Sequence, residues 1–162
     1  MDRSETAPAL RMMPLGLRER LGEYLAAYED TWRCAHGTLE GFVPGVYARA
    51  AQRRERAWSG AVQALVLDGR RAGILDLDRD RASDTLWISL LWVEPSLRGR
   101  GLGRQAVELA RGMARELGRA CLRLSVAEEN SAARAFYRAL GMREADTALG
   151  VSGLLYIMEL EV

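Results

Sequence analysis

The segment that decides the fold is Val93-Glu94-Pro95-Ser96-Leu97-Arg98-Gly99-Arg100-Gly101-Leu102-Gly103-Arg104. It joins an apolar strand, predicted at residues 85–93, to an amphipathic helix, predicted at residues 103–117. Its alternating glycines let the backbone curl closely around a ligand, because glycine has no Cβ atom. The N–H groups of such a loop and of the helix start attract anions, and three arginines add positive charge. The segment predicts a pyrophosphate site, with an ordinary solvated loop as the alternative.

Two common phosphate-binding loops do not match this segment. A G-x-G-x-x-G fingerprint beginning at Gly99 would need a glycine at Arg104, and a Walker loop needs a lysine, which the chain lacks. The remaining pattern, Arg98-x-x-Gly101-x-Gly103, resembles the R/Q-x-x-G-x-G/A acetyl-CoA signature of the GNAT superfamily of N-acetyltransferases. This resemblance implies that the loop binds the pyrophosphate of acetyl-CoA through Arg98, Gly99, Arg100, Gly101, Leu102, Gly103 and Arg104.

A second segment, residues 130–142, is similar to the N-x-x-A-x-x-x-Y-x-x-x-G-F segment of the same family. Asn130 is predicted to cap the N-terminus of a helix, and Gly141 to end it. Four residues share one face of this helix and are predicted to be buried: Ala133, Phe136, Tyr137 and Leu140. On spacing alone Tyr137 is a core aromatic. The resemblance implies instead that its hydroxyl faces the CoA sulfur and that Asn130 contacts the pantetheine arm.

Composition predicts one globular domain, residues 1–162, with 49% hydrophobic residues and one sizeable core. A formal net charge of +1 argues against a general nucleic-acid or membrane binder. The two cysteines, Cys34 and Cys121, form no C-x-x-C pair, which favours a reducing compartment. The N-terminal residues do not resemble a signal peptide, and no apolar run is long enough to span a membrane. A cytoplasmic location is therefore expected.

The order of predicted elements is β-α-α-β-β-β-α-β-α-β-β. Strands are predicted at 10–13, 62–67, 71–77, 85–93, 120–126, 143–147 and 154–161, and helices at 17–28, 46–58, 103–117 and from 130. Residues 30–45 show only residue types that are typical of turns, so no helix or strand is predicted there. Residues 78–84 are predicted to be a polar loop. This order resembles the GNAT acyl-CoA N-acyltransferase fold. The expected α/β architecture is a mixed sheet of six to seven strands flanked by four helices.

The resemblance also implies a reaction: direct transfer of the acetyl group of acetyl-CoA to a primary amine through a tetrahedral intermediate. In similar enzymes the strand before the loop splays from its parallel neighbour, and pantetheine adds to the exposed edge. Here that edge would be the backbone of Leu91, Trp92 and Val93, facing residues 124–126. A main-chain N–H would hold the thioester oxygen, and Tyr137 would protonate the departing thiolate. No metal is expected.

The general base is not assigned by the sequence. Many relatives carry a glutamate at the position of Trp87 or near Ser125, and both are absent here. Glu128 and Glu129 border the expected cleft and are candidates for relaying a proton through water. They are equally compatible with solvated charges at a helix start.

The resemblance places the acceptor pocket between the first two helices, their connection and the final hairpin loop. Candidate lining residues are Trp32, His36, Phe42, Tyr47, Trp58 and Asp146, most of them expected in the core. The sequence does not distinguish whether the acceptor is a small amine, an antibiotic, a polyamine or a protein N-terminus. A homodimer is expected from the family alone. The alternatives to an enzyme are a non-catalytic acyl-CoA-binding module and an interaction domain.

Other chemistry is disfavoured by the sequence. Asp76-x-Asp78-x-Asp80 lacks the glycine and glutamate of a calcium loop. The only histidine, His36, excludes multi-histidine metal sites and is predicted to be a loop or packing residue. A Ser-His-Asp triad would have to use His36, and Ser152 lacks the G-x-S-x-G elbow of a hydrolase nucleophile.

Overall fold

Seven strands and four helices make up the computed structural model of the chain, which describes residues 8–162. The strands are β1 (Arg11–Pro14), β2 (Val62–Leu67), β3 (Arg70–Ala82), β4 (Thr85–Val93), β5 (Cys121–Ala127), β6 (Arg143–Gly150) and β7 (Gly153–Glu161). The helices are α1 (Leu17–His36), α2 (Pro44–Ala57), α3 (Leu102–Glu116) and α4 (Ser131–Ala139). A short 3₁₀ turn, Pro95–Leu97, follows β4.

The strands form one mixed sheet in the order β1-β2-β3-β4-β5-β7-β6. Strands β1 to β4 make an antiparallel meander, β4 and β5 are parallel, and β7 lies between β5 and β6. The parallel pair requires a crossover, which α3 provides. The predicted α/β fold, with its six to seven strands and four helices, is confirmed.

The two faces of the sheet are covered by different helices. Helices α3 and α4 pack on one face, over a core that includes Leu75 and Leu122. Helices α1 and α2 pack on the other face, against a second cluster that includes Ile74 and Leu90. Successive side chains of a strand point to opposite faces, so Ile74 and Leu75 contribute to different clusters.

A buried polar network joins α1 and α2 to the sheet. Asp76 on β3 is fully buried, accepts a 2.7 Å hydrogen bond from the Tyr24 hydroxyl, and pairs with Arg54 at 2.6 Å. Burial raises the pKa of Asp76, and the hydrogen bonds from Arg54 and Tyr24 oppose that shift. Removing one member would leave a buried polar group without its partner.

Two elements are longer than the sequence predicts. Helix α1 continues to His36 instead of ending at residue 28, because Tyr24, Tyr28 and Trp32 keep the four-residue spacing of one helix face. Strand β3 continues to Ala82, so the predicted polar loop at 78–84 is wrong for most of its length. Its pairing with β4 is irregular beyond Asp78, which explains why the strand pattern was not evident there.

Candidate active site

Strands β4 and β5 separate after three paired positions. Their parallel pairing begins at Thr85 and ends at Trp87, opposite Arg123. On the other side of β4, pairing with β3 passes from Ile88 directly to Leu90, so Ser89 is an extra residue. Such a bulge bends the bulged strand. Residues 88–93 of β4 and 124–127 of β5 therefore border an opening, which we call the cleft.

Alternate residues of β4 present their backbone groups to the cleft. The N–H of Glu94 donates to the carbonyl of Ala72 at 2.8 Å, so Glu94 faces β3. Backbone direction alternates along a strand, which turns Trp92 toward β3 as well and Leu91 and Val93 toward the cleft. Consistently, a side chain at Gly73 of β3 would collide with the Trp92 carbonyl. Of the three residues predicted to form the exposed edge of β4, Leu91 and Val93 therefore present their backbone groups to the cleft, whereas those of Trp92 face β3.

The loop between β4 and α3 carries a group of free N–H donors. Gly99 and Gly101 have φ values of 78° and 79°, which glycine adopts without steric cost. Within residues 8–162, no acceptor binds the N–H groups of Gly99, Arg100 or Gly101. The first N–H groups of α3 also lack intrahelical partners, and no side chain caps this end. The loop thus has the donor arrangement expected for an anion site.

The three arginines of this loop are not equivalent. Arg98 donates through Nε to the Val93 carbonyl at 2.9 Å and forms a 2.7 Å ion pair with Asp30 on α1. Its charge is therefore balanced by Asp30, so it adds less positive charge to the loop than the sequence alone suggests. Arg100 and Arg104 are exposed and form no ion pair within the described part of the chain.

Leu102 and Gly103 have packing roles beside their backbone N–H groups. The Leu102 side chain lies in the core beneath α3. A Cβ atom on Gly103 would lie 2.9 Å from the ring of Phe136, so this glycine lets α3 approach α4. Phe136 itself is 38% exposed, so its predicted burial is wrong. The other three members of the predicted face, Ala133, Tyr137 and Leu140, pack against the core.

Tyr137 has an unusual environment for a phenol. Its ring packs against the core, and burial raises its pKa to about 12. Its hydroxyl has no hydrogen-bond partner among residues 8–162. The side chain is therefore a neutral hydrogen-bond donor at physiological pH. The predicted ends of its helix are confirmed, because Asn130 Oδ1 accepts from the Ala133 N–H at 3.2 Å and Gly141 has a φ of 94°.

The acceptor candidates divide into two groups. Trp32, Phe42 and Tyr47 form an aromatic cluster between α1 and α2, with Phe42 and Tyr47 stacked 5.4 Å apart. The sequence analysis missed a fourth member, Tyr28, stacked 4.2 Å from Tyr47. Four-residue spacing from Trp32 could have identified it.

Of the other three candidates, His36 packs against Trp32, and two lie apart from this cluster. Trp58 packs on the α3 side of the sheet under the guanidinium of Arg79. Asp146 is exposed on β6 and accepts from the N–H of Thr147. Neither joins the aromatic cluster.

His36 is not merely a loop or packing residue. Its Nδ1 contacts Glu129 Oε1, and its Nε2 lies 3.3 Å from Ser152 Oγ. These residues come from the end of α1, the loop before α4 and the β6–β7 turn. From the sequence, His36 was a candidate lining residue of the acceptor pocket, and Ser152 was rejected as a hydrolase nucleophile because it lacks the G-x-S-x-G elbow. Because they are 116 positions apart, no local spacing could have indicated the contact.

Two features are absent from residues 8–162. No group of three or more His, Cys, Asp or Glu side chains there is arranged to hold a metal ion. No helix in the same range has the length and apolarity needed to cross a membrane.

The comparison with known families settles the assignment. The sequence model of the Acetyltransferase (GNAT) family matches residues 24–142, which include most of α1, the cleft, the glycine loop and α4. The chain belongs to this acetyltransferase family. The superfamily and the fold predicted from the sequence are confirmed.

Three similar proteins illustrate the range of this family. An uncharacterized N-acetyltransferase of Lactobacillus delbrueckii subsp. lactis is 37% identical over 84 residues, or 48% of this chain and 49% of that protein. The chain thus spans about half the length of the curated relative it matches. An acetyltransferase from Thermus thermophilus has 23% identity and a TM-score of 0.69, covering 96% of this chain and 99% of its own. The PaiA N-acetyltransferase of Thermoplasma acidophilum, solved with coenzyme A, has 18% identity and a TM-score of 0.68, covering 95% and 99%.

Proposed function

We propose that this protein transfers the acetyl group of acetyl-CoA directly to a primary amine. The observation that carries the proposal is the cleft between β4 and β5, which opens beside the free N–H groups of residues 99–104. A negatively charged group at the loop and an extended chain in the cleft would satisfy both sets of backbone donors. Acetyl-CoA combines a pyrophosphate with such an extended arm.

The residues present fit this co-substrate. The N–H groups of Gly99, Arg100, Gly101, Leu102, Gly103 and Arg104 would hold the pyrophosphate, with Arg100 and Arg104 adding charge. The backbone of Leu91 and Val93 would pair with the pantetheine arm along the cleft. Asn130, at the start of α4, is the further candidate for contact with that arm. Arg98 would act indirectly, by tying the loop to α1 through Asp30.

Two donors suit the chemical step. The N–H of Leu91 faces the cleft just beyond the bulge at Ser89 and would stabilise the oxyanion formed when the amine attacks the thioester carbon. The Tyr137 hydroxyl would donate a hydrogen bond to the sulfur as the C–S bond breaks. With a pKa of about 12 it stays protonated and available for this role near neutral pH.

A panel of amines tests the activity. Spermidine, kanamycin, tryptamine and an alanine-starting peptide would each be incubated with acetyl-CoA, and thiol release compared with acetylated product. We expect stoichiometric release with at least one primary amine. Tight CoA binding without release from any amine would indicate the non-catalytic module. No rise in melting temperature with CoA would contradict the site itself, because a native-state ligand must stabilise the fold.

The homodimer and the cytoplasmic location expected from the sequence stay predictions. Size-exclusion chromatography with light scattering would measure the first. Fractionation of cells that produce the natural protein would measure the second.

A further inference from the structure

The last two turns of α1 lie across the cleft on the face opposite α3 and α4. Asp30 binds Arg98 and the Nε1–H of Trp92, next to the β4 side of the cleft. His36 contacts Glu129, just after β5 on the other side. Six residues of helix span about 9 Å, so one short helical segment contacts both borders. The imidazole is thereby fixed where the cleft opens toward α1.

The contacts of His36 set its protonation pattern. Because a carboxylate only accepts hydrogen bonds, Glu129 selects the tautomer with its proton on Nδ1. Nε2 is then the basic nitrogen, and the Ser152 hydroxyl, 3.3 Å away, can donate to it. The ring of Trp32 packs 4.4 Å from the imidazole and restricts its rotation. The imidazole is largely buried, with 11% of its side-chain surface exposed.

Ser152 and Glu129 also border an open cavity of about 350 Å³. Its walls are completed by the end of β5 and the start of β7. Tyr137 packs in the core on the α3 side of the sheet, whereas α1 covers the opposite side. An amine that gives its proton to Ser152 and His36, at the end of α1, would therefore approach from the side opposite Tyr137. With the amine on one side and the proton donor on the other, the amine can attack the thioester carbon while the thiolate leaves.

We propose that His36 is the general base that deprotonates the acceptor ammonium, with Glu129 as its positioning residue and Ser152 as its proton relay. The assignment rests on the proposed acetyl transfer and supplies the base that the sequence left open. One proton of R–NH₃⁺ passes through Ser152 Oγ to His36 Nε2, and the neutral amine forms the C–N bond. The C–S bond then breaks, Tyr137 donates its proton to the departing thiolate, and the second nitrogen proton restores the phenol.

Several titratable groups lie on the segments that carry this base and its partners. Arg33 and Cys34 precede it on α1, Glu40 lies in the loop that follows, and Glu128 and Glu129 precede α4. The β6–β7 turn, residues 151–152, contains no charged side chain. Of these groups only Glu129 contacts the imidazole within the described residues. Its loss should therefore affect the orientation and tautomer of the imidazole more than the loss of another of these carboxylates.

The test compares two small amines that differ in their need for a base. Methylamine is protonated near neutral pH, whereas hydroxylamine is mostly neutral there. In His36→Gln we expect the methylamine rate with saturating acetyl-CoA to fall by about tenfold or more. The hydroxylamine rate should change little. The methylamine deficit should shrink as the pH rises, because the amine then loses its proton without help.

Three variants act as checks on this result. Glu129→Gln should lower the methylamine rate in the same pH-dependent manner, and Ser152→Ala should do so to a smaller extent. Glu40→Gln removes a nearby carboxylate that does not contact His36 and should leave the profile unchanged. Because His36 is the only histidine, the NMR signals of its ring nitrogens should show the Nδ1–H tautomer in the wild type and in Glu40→Gln, and should lose this preference in Glu129→Gln.

Two results would overturn the assignment. Equal losses with both amines at every pH would show that the contact only holds α1 in place, and unchanged rates in His36→Gln would exclude it from proton transfer. A melting curve and acetyl-CoA titration of His36→Gln identify a variant that has failed to fold. No enzyme-dependent thiol release from the wild-type protein with methylamine or with any amine of the panel above would overturn the proposed transfer itself, and with it this base.

Discussion

Arg98 and Asp30 form an ion pair, 2.7 Å between Nη2 and Oδ2, that ties the loop before α3 to the first helix. The Nε1–H of Trp92 donates to the same oxygen at 2.8 Å. Burial alone would raise the pKa of Asp30, but the hydrogen bonds from Trp92 and Arg98 outweigh it and hold that pKa below its ordinary value. One carboxylate thus links α1, the end of β4 and the proposed pyrophosphate loop.

Asp30→Asn should loosen this loop. We expect the KM for acetyl-CoA to rise several-fold while kcat changes less, because Asp30 positions the loop without contacting reacting atoms. Since Arg98 is well exposed, the free energy of unfolding should fall by only about 1–2 kcal/mol. Steady-state kinetics and urea unfolding measure the two effects. Glu29→Gln removes a carboxylate whose one ion pair within residues 8–162 is with Arg33 of the same helix, and it should change neither.

The pH dependence of stability gives a second check on Asp30. Its pKa is lowered in the folded protein, so its stabilising contribution is present above the unfolded pKa and is lost as the pH falls through the folded pKa. The difference between wild type and Asp30→Asn should therefore be constant near neutral pH, begin to shrink at about pH 4, and disappear only below the lowered pKa of the folded protein. A difference that persists in acid would show that Asn disturbs packing instead.

Gly101→Ala should weaken acetyl-CoA binding. Alanine at a φ of 79° costs about 1 kcal/mol and shifts the N–H groups that begin α3. Gly118, at the other end of the same helix, has a φ of 69° and equally open surroundings. Gly118→Ala should therefore cost similar stability and leave binding unchanged. Calorimetric titration with acetyl-CoA separates the two, and equal affinities would exclude Gly101 from the site.

Local patterns predicted the parts of the site that one stretch of chain builds. The glycine loop, the Asn130 cap and the position of Tyr137 follow from residue type and spacing. The contacts of Asp30 with Arg98 and of His36 with Ser152 join residues 68 and 116 positions apart, so only the fold reveals them. The extension of α1 was missed because Thr31, Cys34 and Gly37 weakened its helical pattern. The prediction that Phe136 is buried was wrong because only part of the apolar face of α4 packs against the core.

Arg54→Met should destabilise the protein strongly. Asp76 is fully buried and would lose the guanidinium that pairs with it. Breaking a buried pair in this way costs about 3–5 kcal/mol, because a charge remains without compensation. Arg49→Met, on the exposed side of the same helix, should change the free energy of unfolding by about 0.5 kcal/mol or less. Urea unfolding of both variants measures the difference, and similar midpoints would show that water or a rearranged side chain satisfies Asp76.

Tyr137→Phe tests the proposed hydrogen bond to the leaving sulfur. The ring that packs against the core is retained, and the lost hydroxyl has no partner among residues 8–162, so stability and acetyl-CoA affinity should change little. We expect kcat to fall by about 10²-fold, within the range of general acid catalysis. Because the pKa is about 12, Tyr137 adds no ionisation near neutral pH, and the pH profile of kcat should keep its shape.

Tyr156→Phe, which changes another tyrosine packed against the same core, should retain full activity. A decrease in kcat smaller than about threefold in a stable Tyr137→Phe variant would show that this side chain only packs against the core. The thiolate would then have to leave without a proton donor from α4.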